Sequence, residues 1–164
     1  MASRYRGPLR AYRVADARHP LFSGEGAAQF GGRWTSSGRR VIYGALSYAG
    51  ALLEKLAQTG IGKVPRRQQW IEINVPEDVE IEEVTAAEIP GWDAADLIAS
   101  RAYGDQWLKD GRTVILVVPS VVGQPHERNV VINQDHPDLR LLSASDPEDV
   151  RWDPRLTASA ARSL

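Results

Sequence analysis

Apolar and polar positions sort the chain into short segments of two kinds. Gln69 to Val75 alternates, with Ile71, Ile73 and Val75 on one face and Glu72 and Asn74 on the other, which predicts a half-buried strand. Val79 to Val84 alternates again after the Pro76-Glu77-Asp78 turn. Thr113 to Pro119 and Asn129 to Asn133 carry apolar runs of strand length. Leu9 to Val14 predicts a first strand and Arg40 to Tyr43 a short one. Leu46 to Gln58 predicts the clearest helix: Leu46, Ala49 or Gly50, Leu53, and Leu56 or Ala57 recur at helical spacing, and Gly60 ends it. Further helices are expected over Asp93 to Ser100, capped by Asp93, and over Asp105 to Asp110, stopped by Gly111. Ala15 to Thr35, with Gly24, Gly26, Gly31 and Gly32, reads as a long loop, and loops of that length in a compact domain are often functional. The tail from Ser143 is polar, with one more strand expected near Val150 to Trp152 and a frayed end over Thr157 to Leu164.

The order strand, strand, helix, then mainly strands predicts an α+β fold with a mixed or antiparallel sheet. One domain is expected over 1–164, with its core at about 9–155. No G-x-G-x-x-G or Walker pattern follows a strand, which excludes Rossmann and P-loop readings.

Composition narrows the function classes. The chain has 164 residues and a formal net charge of −1, so it offers no bulk field to attract nucleic acid or an anionic membrane. Its cations are 17 Arg against 3 Lys, for which a GC-rich genome is the ordinary explanation. The absence of cysteine removes disulfides, thiolate catalysis and Cys-based zinc sites. Met1 to Arg6 has no apolar stretch behind its charges, so no signal peptide is expected. Val114 to Pro119, the longest apolar run, is too short to span a bilayer. These features predict a cytoplasmic protein without membrane contact. His126 and His136 lack metal-ligand spacing, so no metal is expected, and His136-Pro137 is read as a turn.

Three positions could carry chemistry. In Gly31-Gly32-Arg33-Trp34, the glycines, Gly32 above all, would let backbone approach a ligand and Arg33 could clamp phosphates. Tyr43 offers a flat ring and a hydroxyl. Glu54 lies one position round the helix from Leu53, with small residues at Gly50 and Ala57, and could line a groove. Ser120 ends an apolar strand, but no His-Asp pairing supports it as a nucleophile. Taken singly, each has an ordinary structural reading. Together they could clamp a diphosphate, stack on a ring and stabilise a cationic sugar.

The ordered set Tyr12-Arg13-Val14, Gly31-Gly32-Arg33-Trp34, Val41-Ile42-Tyr43 and Ala51-Leu52-Leu53-Glu54 resembles the RES domain of bacterial toxin–antitoxin systems. The resemblance continues through Gly104-Asp105-Gln106-Trp107-Leu108, Val118-Pro119-Ser120 and Glu127 to Asn133, before His136-Pro137, and so spans about Leu9 to Leu142. Thr35 and Gln134 depart from the family pattern; both are expected to leave Arg33, Tyr43, Glu54 and Ser120 untouched.

The resemblance implies an ADP-ribosyltransferase-like fold with a split β core holding NAD⁺ in a cleft. It implies a toxin that cleaves the nicotinamide–ribose bond of NAD⁺, by hydrolysis or phosphorolysis. The alternative is transfer of ADP-ribose to a host protein, a nucleotide-biosynthesis enzyme such as phosphoribosyl pyrophosphate synthetase being one target. A non-catalytic anion-binding module is the reading from another class. On the family pattern Glu54 stabilises the developing oxocarbenium charge, Arg33 holds the diphosphate and Tyr43 covers the nicotinamide. Ser120 and Asn129 then bind the ribose or amide beside Gly32. The implied partner is an Xre-type helix-turn-helix antitoxin whose C-terminal segment blocks the cleft, and a homodimer within that complex is compatible with the pattern.

Overall fold

The computed structural model describes residues 1–60 and 62–157. The expected strands are present with shifted ends: β2 (Leu9–Asp16), β3 (Val41–Ala45), β4 (Gln68–Val75), β5 (Glu80–Glu83), β6 (Ile115–Pro119) and β7 (Arg128–Asn133). An unforeseen β1 (Ser3–Arg6) pairs with β5. All four of its residues are exposed, so it has no apolar pattern to read. In place of a strand at Val150 to Trp152, the tail supplies β8 (Ser143–Ala144) and β9 (Glu148–Asp149), both paired with β4. The end of the expected frayed tail, 158–164, lies outside the described residues.

The strands run in the order β1-β5-β6-β7-β3-β2-β4-β8. Among the described residues only β5 and β6 pair in parallel. Eight residue pairs join β2 to β4, from Leu9↔Val75 to Asp16↔Gln68, whereas a single pair, Tyr12↔Ala45, joins β2 to β3. The sheet therefore splits into two halves hinged at that bridge. Gly44 makes the close approach possible, since a Cβ there would lie 2.9 Å from the Tyr12 carbonyl oxygen. Ala11, Ile71 and Ile73 from one half share a buried cluster with Ile42, Ile115, Val130 and Ile132 from the other. This is the split β core of an α+β fold.

Three α-helices complete the fold among the described residues. The supposed loop at Ala15 to Thr35 contains α1 (Glu25–Phe30), which its glycines disguise. Gln134 accepts a hydrogen bond from the Gly24 backbone at the start of α1, at 2.5 Å. In α2 (Tyr48–Thr59), Ser47 caps the first turn by accepting from the Gly50 N–H at 2.9 Å. Its buried side is Gly50 and Ala51, packed with Val14 and Ala45; Leu53, expected inside, is 41% exposed.

The two helices expected between Asp93 and Asp110 are one, α3 (Ile98–Asp110). Asp93 does not cap it; Leu97, at φ 62°, precedes it, and Asp96 accepts from the Ile98 N–H at 3.0 Å. α3 links β5 to β6 and covers the second face of that pair, burying Trp107 completely against Leu116, Val118 and Val131. Burying an aromatic of this size removes roughly 150–250 Å² from water, about 4–6 kcal/mol before entropic costs. The same cover buries Glu82, where a polar residue of an alternating strand would face water. Arg112 meets Glu82 through two N–H groups at 3.1 Å and Tyr103 donates its hydroxyl to it.

His136 shapes a turn as expected, its ring nitrogen accepting from the Asp138 N–H at the head of a short 3₁₀ helix.

Candidate active site

A cleft of about 450 Å³ opens where the two half-sheets part, within the roughly 300–1,000 Å³ of small-molecule sites. β2 contributes Tyr12, Arg13 and Val14; β3 contributes Val41, Tyr43, Gly44 and Ala45. α2 presents Ala51, Glu54, Lys55 and Gln58, which recur at helical spacing on one side. α1 and the loop after it add Gly26, Ala27 and Phe30 to Trp34, and Pro119, Val121 and Asn129 complete the lining. Three cations, Arg13, Arg33 and Lys55, face one carboxylate, Glu54.

Glu54 is held through a single oxygen. Its Oε1 accepts from Ser120 Oγ at 3.0 Å and from Asn129 Nδ2 at 2.7 Å. Oε2 has no hydrogen-bond partner among the described residues. Both donors come from the opposite half-sheet, Ser120 directly after β6 and Asn129 from β7. Ser120 is 2% exposed and does not line the cleft. The sequence reading gave it to the ribose or amide; in the structure its hydroxyl bonds Glu54 from a buried position. Asn129 reaches the cleft and holds Glu54 as well.

Arg33 lines the cleft and donates Nη1 to the Trp92 and Ala94 carbonyls, at 3.2 and 3.1 Å. Its Nε and Nη2 are free of bonds to described residues, so the edge of the fork remains available. Tyr43 lines the cleft with its ring against Gly32, where a Cβ would come within 2.5 Å of the hydroxyl. The close approach this glycine permits is therefore to the tyrosine. Burial pushes the Tyr43 hydroxyl up to about 12, outweighing the opposing hydrogen bond from Thr35, so the phenol is neutral at physiological pH. Thr35 is fully buried and its Oγ1 lies 2.7 Å from the Tyr43 hydroxyl. The expectation that Thr35 leaves Tyr43 untouched is thus corrected: this departure from the family pattern fixes the ring.

α3 secures the loop that carries Arg33. Ser100 donates to the Arg33 carbonyl at 2.7 Å, Arg101 to the Gly32 carbonyl at 2.9 Å, and Asp105 accepts from the Ser36 N–H at 3.0 Å. At Gly104 the helix runs so close that a Cβ would sit 1.7 Å from the Trp34 oxygen. Trp34 also stacks on Trp92, with centroids 6.2 Å apart. On the other side, Ser47 donates to Glu127 Oε2 at 2.7 Å, tying the head of α2 to the segment before β7.

Among the cationic and amide side chains of the lining, sequence reasoning assigned no role to Arg13, Lys55 and Gln58. Lys55 and Gln58 could have been found by counting one and four positions on from Glu54, with Ala51 three before. Arg13 stood in the RES pattern, but as a cation inside a strand it gave no sign of its place in the cleft. Among the described residues, no three His, Cys, Asp or Glu side chains gather as a metal site, and no helix is long and apolar enough to cross a membrane.

Known proteins resemble this chain over most of its length. The family model for the RES domain matches residues 10–153. A protein named Prs ADP-ribosylating toxin from Sphingobium sp. is 38% identical over 142 residues, covering 84% of this chain and 88% of its own. A protein named Toxin Res from Pseudomonas putida is 33% identical over 136 residues, covering 82% of this chain and 91% of its own. In fold, the chain matches the crystal structure of the M. tuberculosis MbcT–MbcA toxin–antitoxin complex with a TM-score of 0.74. The identity there is 20%, over 95% of this chain and 92% of that one. The chain belongs to the RES-domain family, and the relatives named above are toxins.

Proposed function

We propose that this chain is the toxin of a bacterial toxin–antitoxin pair and that it cleaves the nicotinamide–ribose bond of NAD⁺ in the cleft. One observation carries the reading: a lone carboxylate, fixed through Oε1 by Ser120 and Asn129, leaves Oε2 for a substrate in a cleft otherwise cationic. NAD⁺ offers what such a cleft recognises, a diphosphate for the cations and a ribose whose glycosidic carbon gains positive charge as nicotinamide leaves.

In this reaction the C–N bond breaks with its electron pair passing to nicotinamide, which departs neutral and needs no general acid. Oε2 of Glu54 stabilises the oxocarbenium-like ribose through its hydroxyls. Arg33 takes the diphosphate with the free edge of its guanidinium. Tyr43 lies against the cationic nicotinamide ring. Ser120 acts through Glu54 as a positioning residue. NAD⁺ is here the substrate, consumed in the cytoplasm.

Transfer of ADP-ribose to a host protein is the second reading, favoured by the name of the Sphingobium relative. Both readings share the bond that breaks. Isotope-labelled NAD⁺ added to lysate separates them: a discrete labelled protein marks transfer, and free ADP-ribose or its 1″-phosphate marks depletion. A cognate antitoxin is expected to restrain either activity by covering the cleft.

Glu54→Gln tests the core of the reading. Expressed without antitoxin, this variant is expected to lose NAD⁺-cleaving rate on the order of 10²-fold or more and to relieve growth arrest. Equal NAD⁺ loss and equal toxicity in the variant and the wild type would remove Glu54 from the chemistry.

A further inference from the structure

Among the described residues, three side-chain hydrogen bonds tie α2 and its cap to β7 and the loop before it. Ser120 and Asn129 hold Glu54, and Ser47 donates to Glu127. Two of these anchors, Ser120 and Glu127, are the two ends of one loop. Ser120 donates its N–H to the Glu127 carbonyl at 3.1 Å, and Glu127 donates its own to the Gly123 carbonyl at 3.0 Å. The Ser120 hydroxyl that donates to Glu54 also accepts from the Gly123 N–H at 3.1 Å. A Cβ on Gly123 would lie 2.3 Å from the Glu127 Cβ, so the loop closes tightly and holds its ends at a fixed spacing. On α2 the points they grip, Ser47 and Glu54, are two helical turns apart, roughly 10 Å along the axis. Ser47 accepts from the Gly50 N–H at 2.9 Å while donating to Glu127 Oε2 at 2.7 Å. Gly50 leaves room for that oxygen, since a Cβ there would stand 2.8 Å from it. The first turn of α2 holds no acidic residue, so the half-buried Glu127 supplies the negative charge that the positive end of a helix favours. Glu127 does not line the cleft and reaches it only through α2.

We propose that Glu127 is a positioning residue for Glu54: the loop from Ser120 to Glu127 is a brace that grips α2 at its head and at its carboxylate. Both contacts together set the tilt of the helix and hence the direction of the free Oε2. Without the contact at Ser47, α2 can tilt about the one remaining at Glu54. Hydrogen bonds weaken steeply with misalignment, so a small tilt loosens the hold of Ser120 and Asn129 on Oε1. The inference rests on the reading of Glu54 as the group that stabilises the ribose, because a misaimed carboxylate lowers turnover and leaves substrate binding in place.

Steady-state kinetics of NAD⁺ cleavage test it. Glu127→Ala is expected to lower kcat about tenfold, the scale of one hydrogen bond to a charged group, with KM nearly unchanged. Glu127→Gln keeps an oxygen that accepts from Ser47 and is expected to restore most of the rate. Variants at Ser47 separate positioning from capping. Ser47→Asp keeps a good helix cap but sets a carboxylate against Glu127, and is expected to lose rate as Glu127→Ala does. Ser47→Asn keeps both the cap and a donor, and is expected to retain the rate. Glu127→Ala combined with Ser120→Ala is expected to lose no more than about one single variant, since both break the same brace. Wild-type kcat in Glu127→Ala or in Ser47→Asp overturns the proposal, as do losses that multiply in the double variant. NMR of the Asn129 side-chain amide, which is bonded to Glu54, reads the brace without catalysis. Its signals are expected to shift in Ser47→Asp and to hold in Ser47→Asn, and unmoved signals in Ser47→Asp overturn the proposal. If wild type leaves NAD⁺ intact while those signals shift, the brace stands and the NAD⁺ reading falls.

Discussion

Glu54 sits on α2, yet what aims it comes from the other half of the sheet. Ser120 and Asn129 both spend their donors on Oε1, so either loss lets the carboxylate rotate. Ser120→Ala is expected to lower kcat about tenfold, the scale of one hydrogen bond to a charged group, with KM for NAD⁺ nearly unchanged. A rise in KM alone would show that Ser120 binds substrate, as the sequence reading held. At this scale the sequence revealed residue types in a recognisable order but not their contacts. Arg33, Tyr43 and Glu54 were legible because the RES pattern strings them together. Arg13 stands in the same pattern but with no role to read from it, and Lys55 lies outside it, since a lysine on a helix is ordinary until the fold sets both in one cleft. Thr35 was misjudged for the same reason: eight residues separate it from Tyr43, and only the folded loop joins their hydroxyls.

Among the elements, α3 best shows how tertiary contact overrides local pattern. Gly104 and the polar stretch around it break the helical periodicity, so the sequence suggests two short helices. The structure keeps one, because the glycine lets its backbone run against Trp34. On an isolated helix, glycine to alanine would stabilise by up to about 1 kcal/mol. Here Gly104→Ala is expected to destabilise by about 1–3 kcal/mol, as overpacking does, and to impair NAD⁺ cleavage by displacing the Arg33 loop. Thermal melting decides between them, and an increase in Tm would refute the close contact. α2 teaches a related lesson. Its length and end were legible, but apolar spacing pointed to Leu53 as buried, while small Gly50 and Ala51 are the residues that fit against β2 and β3.

For the whole molecule, the decisive feature is a sheet held across its middle by one residue pair, Tyr12↔Ala45. A ligand touching both halves should brace it. Saturating NAD⁺, at about a hundred times Kd, is expected to stabilise the Glu54→Gln variant by about 2.7 kcal/mol, a Tm rise of several degrees for a chain of this length. Using the slow variant keeps the ligand intact, and an unchanged Tm would mean that NAD⁺ does not bind in the cleft. The sequence by itself determined the α+β class, six of the strands, the α2 helix and the family, because alternation, apolar runs and short ordered motifs are local signals. Where the sheet divides, which side of α2 faces the gap, and how residues from β2, β3, α2 and β7 converge there were decided by tertiary structure alone. Those outcomes depend on close packing at Gly44, Gly50 and Gly104 and on burial of long-range partners, and no single stretch of sequence records either.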